Sequence, residues 1–251
     1  NTIISDAMAK RVRLDQLLVE KGLFQTRAKA QAAVMAGQVL VNGRVQTKSG
    51  SATPVDALLE LVKASPYVSR GGLKLDAALA AFPVQVQGRV CLDLGASTGG
   101  FTDCLLQRGA AKVYAIDVGT AQLDAKLRAD PRVISREKTH ARYLRPEQFN
   151  PKPDLSVVDV SFISLTLVLP PLLACLQVPF QVLALVKPQF EVGPKLAPKG
   201  VVRDEAARRA AVDKVRASLS TLPVVEAGLI DCPVHGPKGN RELFLYLIST
   251  P

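Results

Sequence analysis

Residues 89–101, with the sequence R-V-C-L-D-L-G-A-S-T-G-G-F, decide the fold. The first part, residues 90–94, is an apolar run that predicts a strand, and a turn of small residues and a helical pattern follow it. Glycines at Gly95, Gly99 and Gly100 let backbone N–H groups approach a ligand that side chains would keep away. This order is typical of a doubly wound α/β domain, in which the first turn binds a nucleotide cofactor.

The spacing of the small residues distinguishes between cofactors. A dinucleotide loop reads G-x-G-x-x-G, with its second glycine beneath the pyrophosphate. Here Ser97 takes that position, and Asp93 lies inside the end of the strand. The pattern D-x-G-x-x-x-G resembles motif I of class I S-adenosylmethionine-dependent methyltransferases. That resemblance implies an acid facing the cationic methionine group of a cofactor without phosphate. The residues predicted here to bind S-adenosylmethionine are Asp93, Gly95, Ala96, Ser97, Thr98, Gly99, Gly100 and Phe101.

A second acid lies at the distance that a nucleoside cofactor requires. Residues 112–117, K-V-Y-A-I-D, predict a second strand that ends in Asp117, 18 residues after Gly99. A doubly wound fold places the carboxylate that binds ribose hydroxyls near this distance. Asp117 and the adjacent Val118 are therefore predicted cofactor residues. The alternative is that Asp117 only caps the next helix, predicted over residues 122–128.

The charge of the chain predicts a polyanionic partner. The 251 residues, enough for one domain of common size and a small one, carry a net charge of +10. Residues 10–48 hold eight Lys or Arg against Asp15 and Glu20, which is a net charge of +6 in 39 residues. More than half of the positive excess therefore lies in this short segment.

Cysteine usage and hydropathy predict a cytoplasmic protein without a membrane role. The four cysteines are scattered, form no C-x-x-C pair and lie in apolar surroundings, which is typical of buried reduced thiols. We see no secretory signal. The longest apolar run, residues 165–176, is broken by two prolines and is shorter than the ~20 residues that a membrane span needs.

The basic segment resembles a known RNA-binding domain. It reads R-L-D-x-L-L-V-x-x-G-L, then T-R-A-K-A, then A-G-Q-V-L-V-N-G-R-V. Spacing of apolar residues predicts helices over residues 13–21 and 26–36, the second capped by Thr26. Asn42-Gly43 predicts a hairpin turn within residues 39–45, and residues 58–62 predict another strand. Residues 11–62 closely resemble the S4 RNA-binding domain, which implies that its helices present basic residues to folded RNA.

The predicted RNA-binding residues follow from this resemblance. They are Arg11, Arg13, Arg27, Lys29 and Arg44. Arg70, which lies outside the S4 resemblance, is a further candidate for RNA binding. The alternative is a solvated basic face, the usual fate of a run of charges. Arg13 and Asp15 have a further alternative, because the S4 family uses an early Arg-x-Asp near the start of its first helix as a structural pair.

The remainder predicts an α/β domain with a mostly parallel, seven-stranded sheet. Predicted strands are 90–94, 112–117, 132–135, 154–158, 181–186, 224–231 and 243–248, and predicted helices are 73–81, 100–108, 121–128, 161–176 and 203–220. Alternation of this kind is typical of a Rossmann-like sheet covered on both faces. We therefore predict an α+β S4-type domain over residues 11–63, a linker over 64–70 and a methyltransferase domain over 71–251.

Four charged residues occur at the predicted ends of elements. They are Lys74 in S-R-G-G-L-K-L, Asp159 in S-V-V-D-V-S-F, Lys187 in L-A-L-V-K-P-Q-F-E and Glu242 in G-N-R-E-L-F. The order Lys-Asp-Lys-Glu resembles the catalytic tetrad of FtsJ-like ribose 2′-O-methyltransferases. The resemblance implies methyl transfer to a ribose 2′-hydroxyl, a poor nucleophile that a general base activates. The two histidines, His140 and His235, are too few and too separated for a metal site, so no metal is predicted.

The resemblance also implies a role for each member of the tetrad. Burial and a neighbouring like charge make a lysine a better base, so Lys187 is the candidate base and Lys74 supplies the like charge. Asp159 and Glu242 would orient the two ammonium groups. In the alternative interpretation, Lys74 is an exposed lysine on a helix, and Lys187, which precedes a proline, only marks a loop. Asp159 would instead cap a helix, and Glu242 would be a charge at a sheet edge.

Longer stretches resemble one family. The sequences L-V-K-P-Q-F-E-V-G, G-V-V-R-D and H-G-P-K-G-N-R-E resemble the TlyA family, whose members carry the names hemolysin A and ribosomal RNA methyltransferase. The resemblance spans residues 11–248 and implies 2′-O-methylation of cytidine in ribosomal RNA of the large subunit, and in some members of the small subunit too. Some members carry Arg-x-Trp in the linker, where this chain has Ser65-Pro66-Tyr67 and no Trp.

Two other classes of function remain as alternatives. The first is a non-catalytic RNA-binding or ribosome-assembly factor, against which the intact motif I and tetrad argue. The second is a membrane-active hemolysin, against which the lack of an apolar run long enough to span a membrane and of a secretory signal argues. A nicotinamide oxidoreductase is disfavoured by the loop pattern. We also predict that Phe190, Glu191 and the basic residues Lys195, Lys199 and Arg203 form a lid over RNA. Oligomeric state and the choice between free RNA and assembled subunits stay open.

Overall fold

The computed structural model describes residues 10–35, 37–61 and 65–250. The chain divides into two compact units, Asn1–Ala64 and Ser65–Pro251. Five predicted ends lie outside the described residues: those of the second helix at Ala36, a strand at Val62, the S4-type domain at Lys63 and the methyltransferase domain at Pro251, and the start of the linker at Ala64.

The N-terminal unit contains two short helices and two small antiparallel sheets. Strand β1 (Arg11–Arg13) leads into helix α1 (Leu14–Glu20), and helix α2 (Arg27–Met35) follows. Strands β2 (Val39–Val41), β3 (Arg44–Gln46), β4 (Ala52–Pro54) and β5 (Leu59–Leu61) complete the unit. The sheets pair β1 with β4 and order the other strands β3-β2-β5. The two predicted helices and the turn at Asn42-Gly43 are confirmed, whereas the β1–β4 pair was not predicted.

Sequence periodicity explains the helices of this unit. Leu14, Leu17 and Leu18 are buried, and Ala30 and Val34 of α2 join Leu14 and Leu18 in one apolar cluster. Thr26 precedes α2 and accepts a hydrogen bond on Oγ1 from the Lys29 backbone N–H at 3.3 Å, so its predicted cap is confirmed.

The C-terminal unit alternates helices with strands. Its helices are α3 (Arg70–Ala81), α4 (Gly100–Gln107), α5 (Ala125–Arg128), α6 (Leu165–Ala174), α7 (Pro188–Glu191) and α8 (Glu205–Leu219). Its strands are β6 (Val90–Leu94), β7 (Lys112–Ile116), β8 (Val133–Arg136), β9 (Leu155–Val158), β10 (Gln181–Val186), β11 (Val224–Asp231) and β12 (Leu243–Ser249). All seven predicted strands are present within one or two residues of their predicted ends.

Capping residues account for two helices that begin later than predicted. Helix α5 begins after Asp124, whose carboxylate accepts the Lys126 backbone N–H at 2.9 Å. Helix α6 begins after Ser164, whose hydroxyl accepts the Thr166 backbone N–H at 3.2 Å. In both cases the side-chain oxygen of the capping residue satisfies a backbone donor of the first turn, so the helix starts at the next residue. Neither Asp117 nor Asp159 serves as a helix cap.

The seven strands form one sheet in the order β11-β12-β10-β9-β6-β7-β8. The five strands from β10 to β8 are parallel, and β12 runs antiparallel to both β10 and β11. The carboxyl ends of the parallel strands therefore share an edge with the start of β12, where Val186 pairs with Leu243. We call this the carboxyl edge and the opposite one the amino edge.

Buried apolar residues cover both faces of this sheet. One cluster includes Leu92, Leu172 and Leu245, and another includes Leu75, Leu105 and Phe244. Cys91, Cys104, Cys175 and Cys232 are buried and free, as predicted. Burial raises the pKa of the Cys91 thiol to about 12 and holds it in the neutral form. Within the described residues, no helix is both long enough and apolar enough to cross a bilayer.

Candidate active site

Two neighbouring clefts open at the carboxyl edge of the C-terminal unit. The first, which we call the lysine cleft, has a volume of about 350 Å³, and the second, the aspartate cleft, about 480 Å³. Both lie within the size range of small-molecule sites. Gly95, Ser97 and Asp159 line both clefts, whereas Lys74 lines only the first and Asp117 only the second.

Strand register brings three of the predicted residues together. Leu94 pairs with Ile116 on one side and with Val158 on the other. The next residue of each strand, Gly95, Asp117 and Asp159, therefore reaches the carboxyl edge at the same level. A Cβ built at Gly95 would lie 2.5 Å from the Asp159 carbonyl oxygen, and the φ of Gly95 is +90°. Glycine is required here by both geometry and space.

The other two glycines of the loop serve packing as well. A Cβ at Gly99 would overlap Leu127 and lie 2.8 Å from Leu123 Cδ1, so its open side is filled by apolar side chains. A Cβ at Gly100 would overlap Ser69 Oγ and lie 2.8 Å from the Gly72 nitrogen. Close packing of the loop against neighbouring segments therefore requires glycine at both positions, and Gly100 also lines the lysine cleft.

Asp117 holds the loop in the described conformation. Its Oδ2 accepts the Ser97 backbone N–H at 2.7 Å and its Oδ1 accepts the Gly119 backbone N–H at 2.7 Å. Ser97 has a φ of +48°, an uncommon conformation that this bond supports. The adjacent Val118 is 66% exposed and lines the aspartate cleft. Both predicted residues thus face the cleft that a nucleoside would occupy.

Asp93 lies beneath the loop and does not line either cleft. Its side chain is fully buried, and its Oδ2 accepts a hydrogen bond from Thr102 Oγ1 at 2.7 Å. Burial, with a smaller contribution from the nearby carboxylates of Asp159 and Asp117, raises the pKa of Asp93 to about 7. Oδ1 has no hydrogen-bond partner among the described residues. The predicted direct contact with a methionine group is therefore corrected to a position behind the loop.

The first pair of the tetrad joins residues that are 168 positions apart. Lys74 on α3 and Glu242 before β12 form an ion pair with 2.6 Å between Nζ and Oε2. Lys74 is only 7% exposed and Glu242 is fully buried. Lys74 is thus not the exposed helix lysine of the alternative reading, and β12, which Glu242 precedes, lies inside the sheet rather than at its edge.

The second pair joins Lys187, directly after β10, to Asp159, directly after β9. Lys187 Nζ lies 2.6 Å from Asp159 Oδ1 and donates a hydrogen bond to Ser161 Oγ at 2.8 Å. Asp159 and Ser161, the two residues that Lys187 contacts, line the aspartate cleft. Lys74 itself lines the lysine cleft, and the two lysines are almost equally buried.

Sequence reasoning missed an exposed aromatic residue beside the second pair. Phe162 is 89% exposed, has a φ of +62° and lines the aspartate cleft. Its ring lies 5.0 Å from that of Phe190. A bulky residue rarely adopts positive φ, and such strain clusters at functional sites. The only signal in the sequence was a phenylalanine between polar neighbours directly after a strand.

The predicted lid over RNA needs correction at Glu191. This side chain is buried, accepts the Leu165 backbone N–H at 2.8 Å and also bonds to the Ser164 hydroxyl. Glu191 therefore anchors the start of α6 and is not part of a mobile cover. The three basic residues of the prediction, Lys195, Lys199 and Arg203, are exposed.

The predicted RNA contacts of the N-terminal unit fall into two groups. Arg13 and Arg27 both bind the buried carboxylate of Asp15, at 2.9 Å and 3.0 Å. The Arg13 bond holds the pKa of Asp15 well below its usual range. Arg11 and Arg44 are exposed without an ion pair among the described residues, and Lys29 is exposed and donates to Gln25. Arg13 and Asp15 thus form the structural pair that was the alternative to an RNA contact.

Arg70 belongs to the C-terminal unit and lines the lysine cleft. It is exposed and donates a hydrogen bond to the His235 carbonyl oxygen at 2.7 Å. The linker residue Tyr67 donates a hydrogen bond to Asp76 Oδ1 at 2.9 Å, and its ring lies against Gly72 at the start of α3. The tyrosine that stands in the linker is therefore tied to the helix that carries Arg70 and Lys74.

Comparison with known proteins defines the class. A model of the FtsJ-like methyltransferase family matches residues 67–248, and one of the S4 domain matches residues 12–52. The chain is therefore an FtsJ-like, S-adenosylmethionine-dependent methyltransferase joined to an S4 domain.

Similarity over nearly the whole chain narrows the class to one family. The 16S/23S rRNA (cytidine-2′-O)-methyltransferase TlyA of Mycobacterium tuberculosis is 46% identical, over 96% of this chain and 91% of its own length. Hemolysin A of Brachyspira hyodysenteriae is 40% identical, over 94% of this chain and all of its own length. A solved structure of a Streptococcus thermophilus protein named as a hemolysin is 43% identical with a TM-score of 0.76, over 96% and 90% of the two chains. The chain belongs to the TlyA family, as its motifs predicted.

Proposed function

We propose that this protein transfers a methyl group from S-adenosylmethionine to the 2′-oxygen of a cytidine ribose in ribosomal RNA. The observation that carries the proposal is the tetrad: two lysine–carboxylate pairs, Lys74–Glu242 and Lys187–Asp159, stand at the carboxyl edge beside the motif I loop. Lys74 and Asp159 line the same cleft as Gly95. Homology to TlyA supports the substrate, and the S4 unit supports RNA as its class.

The residues of the two clefts fit the cofactor. Gly95, Ser97, Asp117 and Val118 line a space of nucleoside size, and Asp93 Oδ1 is buried beneath the loop without a hydrogen-bond partner among the described residues. Gly95, Ser97, Asp117 and Val118 would hold the nucleoside part. When bound, S-adenosylmethionine supplies an electrophilic methyl group on a sulfonium.

The tetrad would orient and deprotonate the nucleophile. The ribose 2′-hydroxyl would lie at the wall formed by Lys74 and Asp159, and Lys187 is the candidate to accept its proton at Nζ. Lys74 steadies the developing alkoxide, and Glu242 fixes the Lys74 ammonium. Holding the oxygen in line supplies a further large share of the rate by proximity alone. The exposed ring of Phe162 offers a face on which an unstacked base can lie.

The test is transfer of labelled methyl groups from S-adenosylmethionine to ribosomal subunits and to naked rRNA. Wild type should label a ribose 2′-oxygen, and Lys187→Ala and Lys74→Ala should each lose label while retaining cofactor binding by calorimetry. Lys152→Ala is the matched control, since Lys152 is exposed near the amino edge, without an ion pair among the described residues. It should label as wild type does.

The outcomes separate the alternatives. Absence of label with every RNA, despite cofactor binding, would support the non-catalytic assembly factor. Loss of label in Lys74→Ala but not in Lys187→Ala would make Lys74, and not Lys187, the base that accepts the proton. The substrate that carries label, subunit or naked RNA, identifies the form that is modified.

A further inference from the structure

We propose that the carboxyl edge of the C-terminal unit carries its own RNA-binding track, formed by two groups of unpaired cations on either side of the clefts. The track would hold the RNA strand that flanks the target nucleotide. This inference rests on the proposed function, since it assigns a second contact surface for the same substrate, separate from the S4 unit.

The first group of cations follows strand β8. Lys138, Arg142 and Arg145 are exposed, and none has an acidic group within ion-pairing distance among residues 65–250. Glu137, the acid closest in sequence, is already occupied by Arg128 at 3.0 Å. These three charges are therefore free to meet a ligand of opposite charge.

Aromatic surface accompanies this group. Tyr143 is 69% exposed, and its ring lies 5.4 Å from that of His140, which lines the aspartate cleft. Exposed rings between basic residues are typical of surfaces that bind single-stranded nucleic acid, because bases stack on the rings while phosphates meet the cations. Basic and aromatic residues also occur together on amphipathic helices that bind membranes. This segment forms only two short turns, Ala141–Tyr143 and Pro146–Gln148, and no such helix.

The second group follows strand β10. Lys195, Lys199 and Arg203 are exposed and have no ion pair within the described part of the unit. The acids that follow them in sequence are occupied: Asp204 caps α8, and Glu205 pairs with Arg208 and Arg241. This group too presents uncompensated positive charge.

Sheet topology separates the two strands that precede these groups. Strand β8 is the outermost strand, and β10 lies four strands away in the order β10-β9-β6-β7-β8. At about 4.8 Å between neighbouring strands, the groups are separated by roughly 19 Å. At about 3.4 Å per nucleotide of a stacked strand, this distance covers roughly five to six phosphates. The clefts lie between the two groups, where the target nucleotide must enter.

Two cations near the amino edge are neutralised, because Arg89 pairs with Asp154 and Arg132 with Asp130, both directly before a strand. Lys152 near that edge is exposed and has no ion pair among the described residues. The two groups that follow β8 and β10 hold six such cations, so they carry more uncompensated charge than the amino edge does. A polyanionic strand lying across the carboxyl edge is the partner that this asymmetry fits.

The test measures how salt weakens binding of the full-length protein to naked 23S rRNA transcript by filter binding. Two triple variants remove the track: Lys138→Gln with Arg142→Gln and Arg145→Gln, and Lys195→Gln with Lys199→Gln and Arg203→Gln. Each lost phosphate contact should lower the slope of log K against log salt by about 0.7, so each triple should lower it by about 2. The single variants Arg142→Gln and Lys152→Gln form the matched pair, with expected decreases of about 0.7 and zero.

The results separate this inference from the proposed function. Slopes equal to wild type in both triples would overturn the track even if methylation is observed. Decreased slopes without methylation by wild type would keep the track and refute the enzyme. If a triple variant loses its far-UV circular dichroism, the single Arg142→Gln decides, because replacing one exposed residue without a partner has little effect on stability.

Discussion

Replacement of Gly95 by alanine tests the alignment of strand ends that builds the site. The new Cβ would lie 2.5 Å from the Asp159 carbonyl oxygen and 2.8 Å from its carbonyl carbon, and both are backbone atoms that cannot rotate away. The φ of +90° adds a penalty of about 1–2 kcal/mol for any residue with a Cβ. Overpacking against a rigid neighbour costs about 1–3 kcal/mol more. Gly95→Ala should therefore destabilise the unit by about 2–5 kcal/mol.

Gly88→Ala is the matched control for this substitution. Gly88 has a φ of +76° and no atom within 4 Å of the position of its Cβ, so the control carries the conformational penalty without the clash. Both glycines belong to the C-terminal unit, so both substitutions report on the same unfolding transition. The difference between them isolates the clash, at about 1–3 kcal/mol.

Urea unfolding followed by far-UV circular dichroism measures both variants, since the chain contains no tryptophan for fluorescence. Calorimetry with S-adenosylmethionine at a temperature where both variants remain folded measures the site. Gly95→Ala should lose cofactor affinity, because the shift moves Asp159 and the loop that lie on either side of the cofactor. Equal unfolding free energies and equal affinities for the two variants would refute the argument.

Three further substitutions address the site and the N-terminal unit. A Cβ at Gly236 would overlap Glu242 Oε1, so Gly236→Ala should displace the partner of the buried lysine and reduce methylation at least tenfold, with cofactor affinity retained. A matching loss of cofactor affinity would point to general damage instead. Burial raises the pKa of Asp93 to about 7, so its stabilising protonated form is complete below pH 4 and is lost as pH rises through 7. Asp93→Asn should remove about 2 kcal/mol of the decrease in unfolding free energy between pH 5 and pH 8, and an unchanged decrease in urea titrations would contradict this. Arg13→Gln should lower both RNA affinity and the stability of the N-terminal unit, the stability by about 1 kcal/mol, since Arg13 binds the buried Asp15. Arg11→Gln should lower RNA affinity alone when filter binding and urea unfolding are measured for both variants.

Local pattern was sufficient for most of the elements and for the cofactor loop. Alternating strands and helices, the small residues after Leu94 and the acid at Asp117 all follow short-range rules, and the structure has the loop directly after β6 and Asp117 directly after β7. Their predicted cofactor contacts stay predictions. Sequence reasoning failed where a side chain has a distant partner. Glu191 was assigned to a lid because nothing local shows that it accepts the Leu165 backbone N–H. Similarly, the burial of Asp93 behind its loop depends on Thr102 and the surrounding sheet.

The sequence by itself was sufficient to identify the family and to nominate the four tetrad candidates, because both depend only on which residue types follow one another along the chain. Only the tertiary structure decided which residues pair. The reversal of β12 brings Glu242 to the same edge as Lys187, and α3 brings Lys74 to that carboxylate from 168 positions away. Pairing depends on strand direction and register, which arise from hydrogen bonds between distant segments, so no local pattern contains it.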